Sequence, residues 1–143
     1  MARAMVLRLG DAIALFIGFA VPLLVIAEVS PDARLVPPVY VGAGAAVGAG
    51  ARIGSLAVIG AGARVGEGAT VESAVVGAGA VVGAHTDVLG SILGERAEVG
   101  AECAVRGLSV VGPGAKVGDG NMLDHGMRIA ADETIAAGAI SFS

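Results

Sequence analysis

The sequence predicts an all-β protein, a parallel β-helix with three sides per coil. Two periodic features carry this prediction. An aliphatic residue recurs about every six positions from Val41 to Ile135, and a small residue recurs two positions before it. An α-helix has 3.6 residues per turn and cannot keep one face at a six-residue period, whereas short strands joined by tight turns can. The glycines and alanines of this region are therefore expected at the corners and in the narrow interior of a coil.

The aliphatic series contains only Val, Ile and Leu at its seventeen positions, and fourteen of the sixteen steps are six residues long. Because residues two apart on a strand share a face, the small residues should point inward with them. Nine of the thirteen small-residue slots between Ala45 and Ala115 hold Ala, and the others hold Thr86, Ser91, Cys103 and Ser109. Cys103 is accordingly expected to be a core residue.

The corners predict how many sides each coil has. Gly follows the aliphatic residue in eleven of the seventeen repeats, and the departures at Glu72, Leu89, Arg106 and Asp124 are 17, 17 and 18 residues apart. Three repeats therefore make one coil, and the chain contains between five and six coils. We expect Gly54 and these four residues to form a column on one corner, with Arg106 beside Asp124.

Composition limits the function classes. The chain has 143 residues, enough for one domain, and its net charge is −4 with no Lys/Arg cluster, which argues against a nucleic-acid partner. The glycine pairs have the form GxGxxxG, as in "GPGAKVG" (112–118), which is the six-residue repeat and not a GxGxxG loop between a strand and a helix. No nucleotide-binding cofactor site is expected there. The carboxylates scattered over the corners are expected to be solvated.

The repeat of aliphatic, Gly, two variable residues, small and variable resembles that of the hexapeptide-repeat transferases over residues 39–138. That resemblance implies a left-handed β-helix. The stretches "VSPDARLVPPVYVGAGAAVGAGARIG" (29–54), "ESAVVGAGAVVG" and "GSILGERAEVG" are similar to the C-terminal domain of bacterial sugar-nucleotide pyrophosphorylases, such as mannose-1-phosphate guanylyltransferases. In that family catalysis belongs to an N-terminal α/β domain with a GxGxRLxPLT loop, a motif that is not found in this sequence.

The resemblance implies an assembly or regulatory module in nucleotide-sugar biosynthesis that lacks the catalytic domain. We expect no cofactor, no metal and no catalytic residue in the chain alone. We expect a homo-oligomer, and the implied partner is a catalytic nucleotidyltransferase.

Two histidines leave an alternative open. Acyltransferases of this fold use a His as general base, and the chain offers His85 in "GAHT" and His125 in "LDHG". Against this, the repeat runs from 41 to 135 without the inserted loop that such enzymes carry. A zinc site of the carbonic anhydrase type needs three ligands. The two histidines fall on different sides of the coil, about 10 Å apart along its axis.

The chain is predicted to consist of an apolar segment, 1–28, and a β-helix domain, 29–143. Sixteen uncharged residues, Ala12–Ala27, follow Arg3 and Arg8. This pattern fits a signal peptide or membrane anchor, a segment that covers the first coil, or an incidental leader. We expect a cytoplasmic protein, with membrane contact through 12–27 and export left open, and a cell-envelope scaffold is a further alternative. At the other end Asn121, Met127 and Glu133 replace Ala, which predicts closure of the core.

Overall fold

The structure, a computed structural model, describes residues 5–9, 12–17 and 23–141. These residues form twenty-one β-strands, which belong to three sheets. From β3 onward, successive strands belong to the first, second and third sheet in turn, so that three strands make one coil.

The first sheet has nine strands, the first two of which precede the coils. They are β1 (Met5–Leu9), β2 (Ala12–Ile17), β3 (Leu23–Val29), β6 (Ala46–Val47), β9 (Arg64–Val65), β12 (Val81–Val82), β15 (Glu98–Val99), β18 (Lys116–Val117) and β21 (Thr134–Ile135).

The second and third sheets have six strands each. The second contains β4 (Arg34–Leu35), β7 (Arg52–Ile53), β10 (Thr70–Glu72), β13 (Asp87–Leu89), β16 (Ala104–Val105) and β19 (Met122–Leu123). The third contains β5 (Val39–Val41), β8 (Ala57–Ile59), β11 (Val75–Val76), β14 (Ile92–Leu93), β17 (Val110–Val111) and β20 (Arg128–Ile129).

Strands of neighbouring coils pair in parallel, and the aliphatic positions align from coil to coil. Val82, for example, lies opposite Val65 on one side and Val99 on the other. About six turns result, which confirms the predicted three-sided β-helix and is consistent with the left-handed form that the resemblance implies.

The interior is filled as the repeat predicts. Sixteen of the seventeen aliphatic positions are buried, and Ile135 in the last coil is half-buried. All thirteen small-residue slots are buried as well. The polar members of this set are hydrogen-bonded to the backbone: the Thr86 hydroxyl donates to the Gly100 carbonyl at 2.6 Å, and the Ser109 hydroxyl donates to the Arg106 carbonyl at 2.7 Å. A burial cost for these groups is thereby avoided.

The corners explain the distribution of glycine. At the corner between the first and second sheets, a Cβ on Gly83 would lie 2.5 Å from the backbone nitrogen of Ala101 in the next coil. At the corner between the second and third sheets, the three atoms nearest to a Cβ on Gly54 all belong to the flexible side chain of Glu72. Side chains are therefore tolerated after the aliphatic residue at this second corner. Four of the six departures from glycine lie there, and the other two, Ala130 and Ala136, follow the last strands of their sheets.

The predicted column at that corner is present. Glu72 and Leu89 are paired in register, and the Arg106 Nε donates to the Asp124 Oδ2 at 2.9 Å. The pair is exposed on the Arg106 side, so it stabilises the fold only slightly.

The last coils close the core through one buried side chain. The Asn121 Nδ2 donates to the carbonyls of Gly118 at 2.8 Å and Ala136 at 2.9 Å, while its Oδ1 accepts the Ile140 N–H at 2.7 Å. Met127 packs against the core and is half-buried, whereas Glu133 is exposed. The closure predicted at this end thus depends on hydrogen bonding by Asn121 more than on bulk.

At the other end, the backbone of the apolar segment forms strands. β1 pairs antiparallel with β2, β2 pairs antiparallel with β3, and β3 continues in parallel with β6. The division predicted at residue 28 falls inside β3, and residues 18–22 lie outside the described residues. None of the described residues forms a helix long and apolar enough to cross a membrane. The alternatives for this segment stay open.

Candidate functional surface

The exposed chemistry of the molecule lies on its corners and outer faces, because side chains fill the inward positions. Three groups of residues could carry chemistry or bind a partner: the two histidines, the buried thiol, and the outward side chains of each sheet.

His85 lies at the corner between the first and second sheets. Its φ is +55°, and its N–H donates to the Glu67 carbonyl of the preceding coil at 2.8 Å. The neighbouring coil offers Gly68 at this position, and a Cβ there would overlap the imidazole ring. The glycine therefore makes room for the ring, which is exposed. The backbone N–H of His85 is therefore hydrogen-bonded, and its imidazole lies in solvent.

His125 lies at the corner between the second and third sheets. Its N–H donates to the Asp124 Oδ1 at 2.7 Å, and its Nδ1 is 4.0 Å from the same oxygen. The His125 N–H, the larger cause, and the Arg106 guanidinium hold the pKa of Asp124 below its usual value. A separation of 4.0 Å exceeds a hydrogen bond, so the carboxylate does not orient the imidazole as a catalytic pair would require.

The structure keeps the two histidines apart. They occupy different corners, and the strand after His85 (β13) and the strand before His125 (β19) are separated by β16 in the second sheet. Two coil spacings correspond to about 10 Å. Over the described ranges, no group of three His, Cys, Asp or Glu residues is arranged to hold a metal ion. That the chain alone has no catalytic residue stays a prediction, with His85 and His125 as the alternative.

Cys103 is a core residue, as its slot predicts. It is buried, and its Sγ lies 3.2 Å from the Gly118 carbonyl. Burial is the main cause that raises the pKa of this thiol. A nucleophilic cysteine requires the opposite shift, so Cys103 is not a reactive group.

The outer face of the first sheet is charged, and we call it the charged face. Its outward side chains run along the helix axis as Glu28, Ala46, Arg64, Val81, Glu98 and Lys116. Opposite charges alternate here, and the Lys116 Nζ is 4.0 Å from the Glu98 Oε2. An open groove of about 780 Å³ follows this face past Ser30 and Arg64 to Gly83.

The outer face of the third sheet is apolar, and we call it the apolar face. Its outward side chains are Tyr40, Val58, Val75, Ile92 and Val110. This surface was not predicted from the sequence, although a signal existed. The residue before the aliphatic position, read in every third repeat, is uncharged and bulky at five successive positions of this series, before Arg128, and in neither of the other two series.

These features define a β-helix of the hexapeptide-repeat class. The family model of the GMPPB C-terminal domain matches residues 35–138, and the chain therefore belongs to this family. The match supports the predicted relation to the C-terminal domain of sugar-nucleotide pyrophosphorylases. A search of curated proteins finds no match to the sequence.

Solved structures of acetyltransferases are also similar to the chain. The acetyltransferase domain of PglB from Neisseria gonorrhoeae, in complex with acetyl coenzyme A, is 26% identical with a TM-score of 0.72. A histidine variant of GDP-perosamine N-acetyl transferase from Caulobacter crescentus, in complex with CoA and GDP-perosamine, is 28% identical with a TM-score of 0.73. The match covers 77% of this chain in both cases, and only 54% and 52% of those chains. The chain thus spans about half the length of these structures.

A hexapeptide transferase family protein from Anaplasma phagocytophilum supports the fold alone. It is 21% identical, with a TM-score of 0.65, and the match covers 78% of this chain and 74% of that one.

Proposed function

We propose that the chain is a β-helix assembly or regulatory module that serves a sugar-1-phosphate nucleotidyltransferase in nucleotide-sugar biosynthesis, and that it is not itself a catalyst. The observation that carries this proposal is the match to the GMPPB C-terminal domain over residues 35–138. That range covers β5 to β21, and thus almost all of the coils.

The geometry of the titratable groups supports a non-catalytic role. His85 and His125 lie on separate corners, both are exposed, and the Asp124 carboxylate is 4.0 Å from the His125 Nδ1. The single cysteine, Cys103, is buried, and burial raises the pKa of its thiol. In contrast, the long flat faces offer regular surfaces of the kind that protein partners use.

The experiment compares activity with and without the catalytic partner. The purified chain is assayed for nucleotidyl transfer from a nucleoside triphosphate to a sugar 1-phosphate, alone and then mixed with the nucleotidyltransferase of the same cell. We expect no turnover by the chain alone and a changed rate or thermal stability of the partner enzyme in the mixture. Turnover by the chain alone, or a partner whose rate and melting temperature are unchanged, would contradict the proposal.

The acyltransferase alternative has a specific observation in its favour. Two structures that are 26% and 28% identical over 77% of the chain are complexes with acetyl coenzyme A or CoA. If this chain transfers acyl groups, an exposed imidazole would take the proton from the acceptor amine or hydroxyl.

Two single variants separate the alternative from the main proposal. Loss of a general base typically lowers the rate by about 10²–10⁴-fold. Release of free CoA from acetyl-CoA in the presence of an amino-sugar acceptor, abolished by His85→Ala or by His125→Ala, would establish the alternative. We expect no acceptor-dependent release from the unmodified chain.

A further inference from the structure

The apolar face differs from the rest of the surface in its length and continuity. Tyr40, Val58, Val75 and Ile92 are outward and exposed, with 42%, 36%, 39% and 47% of their surface accessible. Val110 extends the column and is half-buried, and only the next strand, with Arg128, returns to a charge. Five successive coils therefore present an uncharged surface to solvent on this side. Contiguous apolar patches of this kind mark interaction sites.

Two exposed leucines border the same face. Leu56 and Leu108 precede Val58 and Val110 by two residues, at the corner that leads into the third sheet, and they are 66% and 78% exposed. Both have a positive φ, +62° and +64°, a conformation that disfavours a leucine. Glycine occupies the same region of φ at Gly90 on this corner. Neither leucine is explained by the packing of this chain, whereas both would extend an apolar contact.

We propose that the apolar face binds the apolar face of a second copy of this chain. This inference rests on the proposed assembly function and names the surface that carries it. The face has no charge to recognise a charged partner. It presents side chains at the fixed spacing of about 4.8 Å between paired strands, and a second copy offers the same spacing, so that side chains can interdigitate along the whole column.

The size of the face fits a contact between two copies. Five strands at about 4.8 Å and a side of about five residues at about 3.3 Å give a surface of roughly 24 by 16 Å. Two such faces cover roughly 800 Å². Leu56 and Leu108, which are exposed at the border of each copy, bring the contact towards the roughly 1,000 Å² that a specific interface requires.

The number of apolar faces indicates the symmetry. An isologous two-fold contact uses the same patch on both copies, whereas a ring requires two different complementary patches on each copy. The charged face carries alternating Glu and Arg or Lys, and the second sheet carries Arg34, Arg52 and Asp87 outward. One apolar face among the described coils thus favours a dimer.

A matched pair of variants tests the proposal by sedimentation over a range of concentrations. Val75→Glu places a carboxylate at the centre of the apolar face. Val81→Glu places it at the equivalent outward position of the next strand, β12, on the charged face. We expect a dimer for the unmodified chain and for Val81→Glu. For Val75→Glu we expect a dissociation constant raised by at least about 30-fold, as for a central interface residue. Circular dichroism and the melting curve establish that each variant is folded.

Chemical cross-linking locates the contact independently. In a Cys103→Ala background, Val75→Cys should form a cross-linked dimer with a short bis-maleimide, and Val81→Cys should not. A monomeric unmodified chain, a folded Val75→Glu variant with unchanged mass, or equal cross-linking at both positions would overturn the inference. These outcomes do not depend on any nucleotidyltransferase. A dimer sensitive to Val75→Glu, together with a partner enzyme that the chain does not affect, would contradict the proposed function and leave the inference standing.

Discussion

The charged face and the apolar face have the same backbone and differ in one residue per coil. Both consist of two- or three-residue strands paired in parallel, with a buried aliphatic residue at the end of nearly every strand. The outward residue before it is Arg64, Glu98 or Lys116 on the charged face and Val58, Val75 or Ile92 on the apolar face. The inward residues therefore determine the β-helix fold. The outward residues can vary, and they determine which partner the surface binds.

The corners differ in the same way. Beside the charged face, Gly83 is pressed against the next coil, where a Cβ would lie 2.5 Å from the Ala101 nitrogen. At the corner that leads to the apolar face, the corresponding positions hold Glu72, Leu89, Arg106 and Asp124. The backbone of the next coil fixes the first corner, whereas the second corner can vary and carry surface chemistry.

A substitution at the first corner should cause the largest loss of stability. Gly83→Ala should destabilise the fold by about 2–3 kcal/mol, because the added methyl must displace backbone and not a flexible side chain. Gly54→Ala is the matched control at the second corner. Its nearest contacts are all with the Glu72 side chain, which can rotate away from Arg52, its exposed ion-pair partner at 3.2 Å. Because such a surface pair stabilises the fold little, the free energy of unfolding should change by less than about 1 kcal/mol. Chemical unfolding measures both, and equal losses would contradict this account of the corners.

Substitutions on the charged face can remove its difference from the apolar face. Replacing Arg64, Glu98 and Lys116 together by Val gives the molecule a second apolar face. Because a chain with two adhesive faces can add copies without closing, we expect a weight-average mass that rises with concentration beyond that of a dimer. Replacing the same residues by Lys, Asp and Arg keeps the charges and should leave the mass unchanged. Light scattering distinguishes the two, and identical masses would argue against self-association through apolar faces.

The smallest effect concerns Asp124 at the second corner. The His125 N–H, the larger cause, and Arg106 lower the pKa of Asp124. A carboxyl whose pKa is lower in the folded state stabilises the fold above its unfolded pKa, about 3.9, and this stabilisation is lost as the pH falls through the folded pKa.

Melting temperatures between pH 6 and pH 2 test this linkage. The unmodified chain should lose slightly more stability on acidification than Asp124→Asn. Arg106→Gln should keep most of the difference, since the His125 N–H remains. Indistinguishable acid profiles for the unmodified chain and Asp124→Asn would show that the hydrogen bonds at this corner do not favour the ionised carboxylate.

Much of the fold could be predicted because its interior repeats. The spacing of Val, Ile and Leu gave the strands, and the three-repeat recurrence of Glu72, Leu89, Arg106 and Asp124 gave the three sides and the Arg106–Asp124 contact. The hydrogen bonds of Asn121 could not be predicted, because its donors and acceptors come from Gly118, Ala136 and Ile140, and only the wound coil brings these together.

The surface was harder to predict than the interior. Outward residues obey no packing rule within one chain, so the apolar face appears only after the repeats are assigned to their sides. The sequence offers His85 and His125 as candidates of equal standing, and the structure separates them by corner and by coil. His85→Ala and His125→Ala test whether either imidazole acts in acyl transfer.

The most direct test of the central claim is the mass of the complex formed when this chain is mixed with the sugar-1-phosphate nucleotidyltransferase of its own cell. Sedimentation equilibrium gives that mass without a label. We expect a single complex that contains both proteins, with the 13.8 kDa chain present as pairs. Two species that sediment separately, each at the mass it has alone, would contradict the claim that this β-helix assembles or regulates a nucleotidyltransferase.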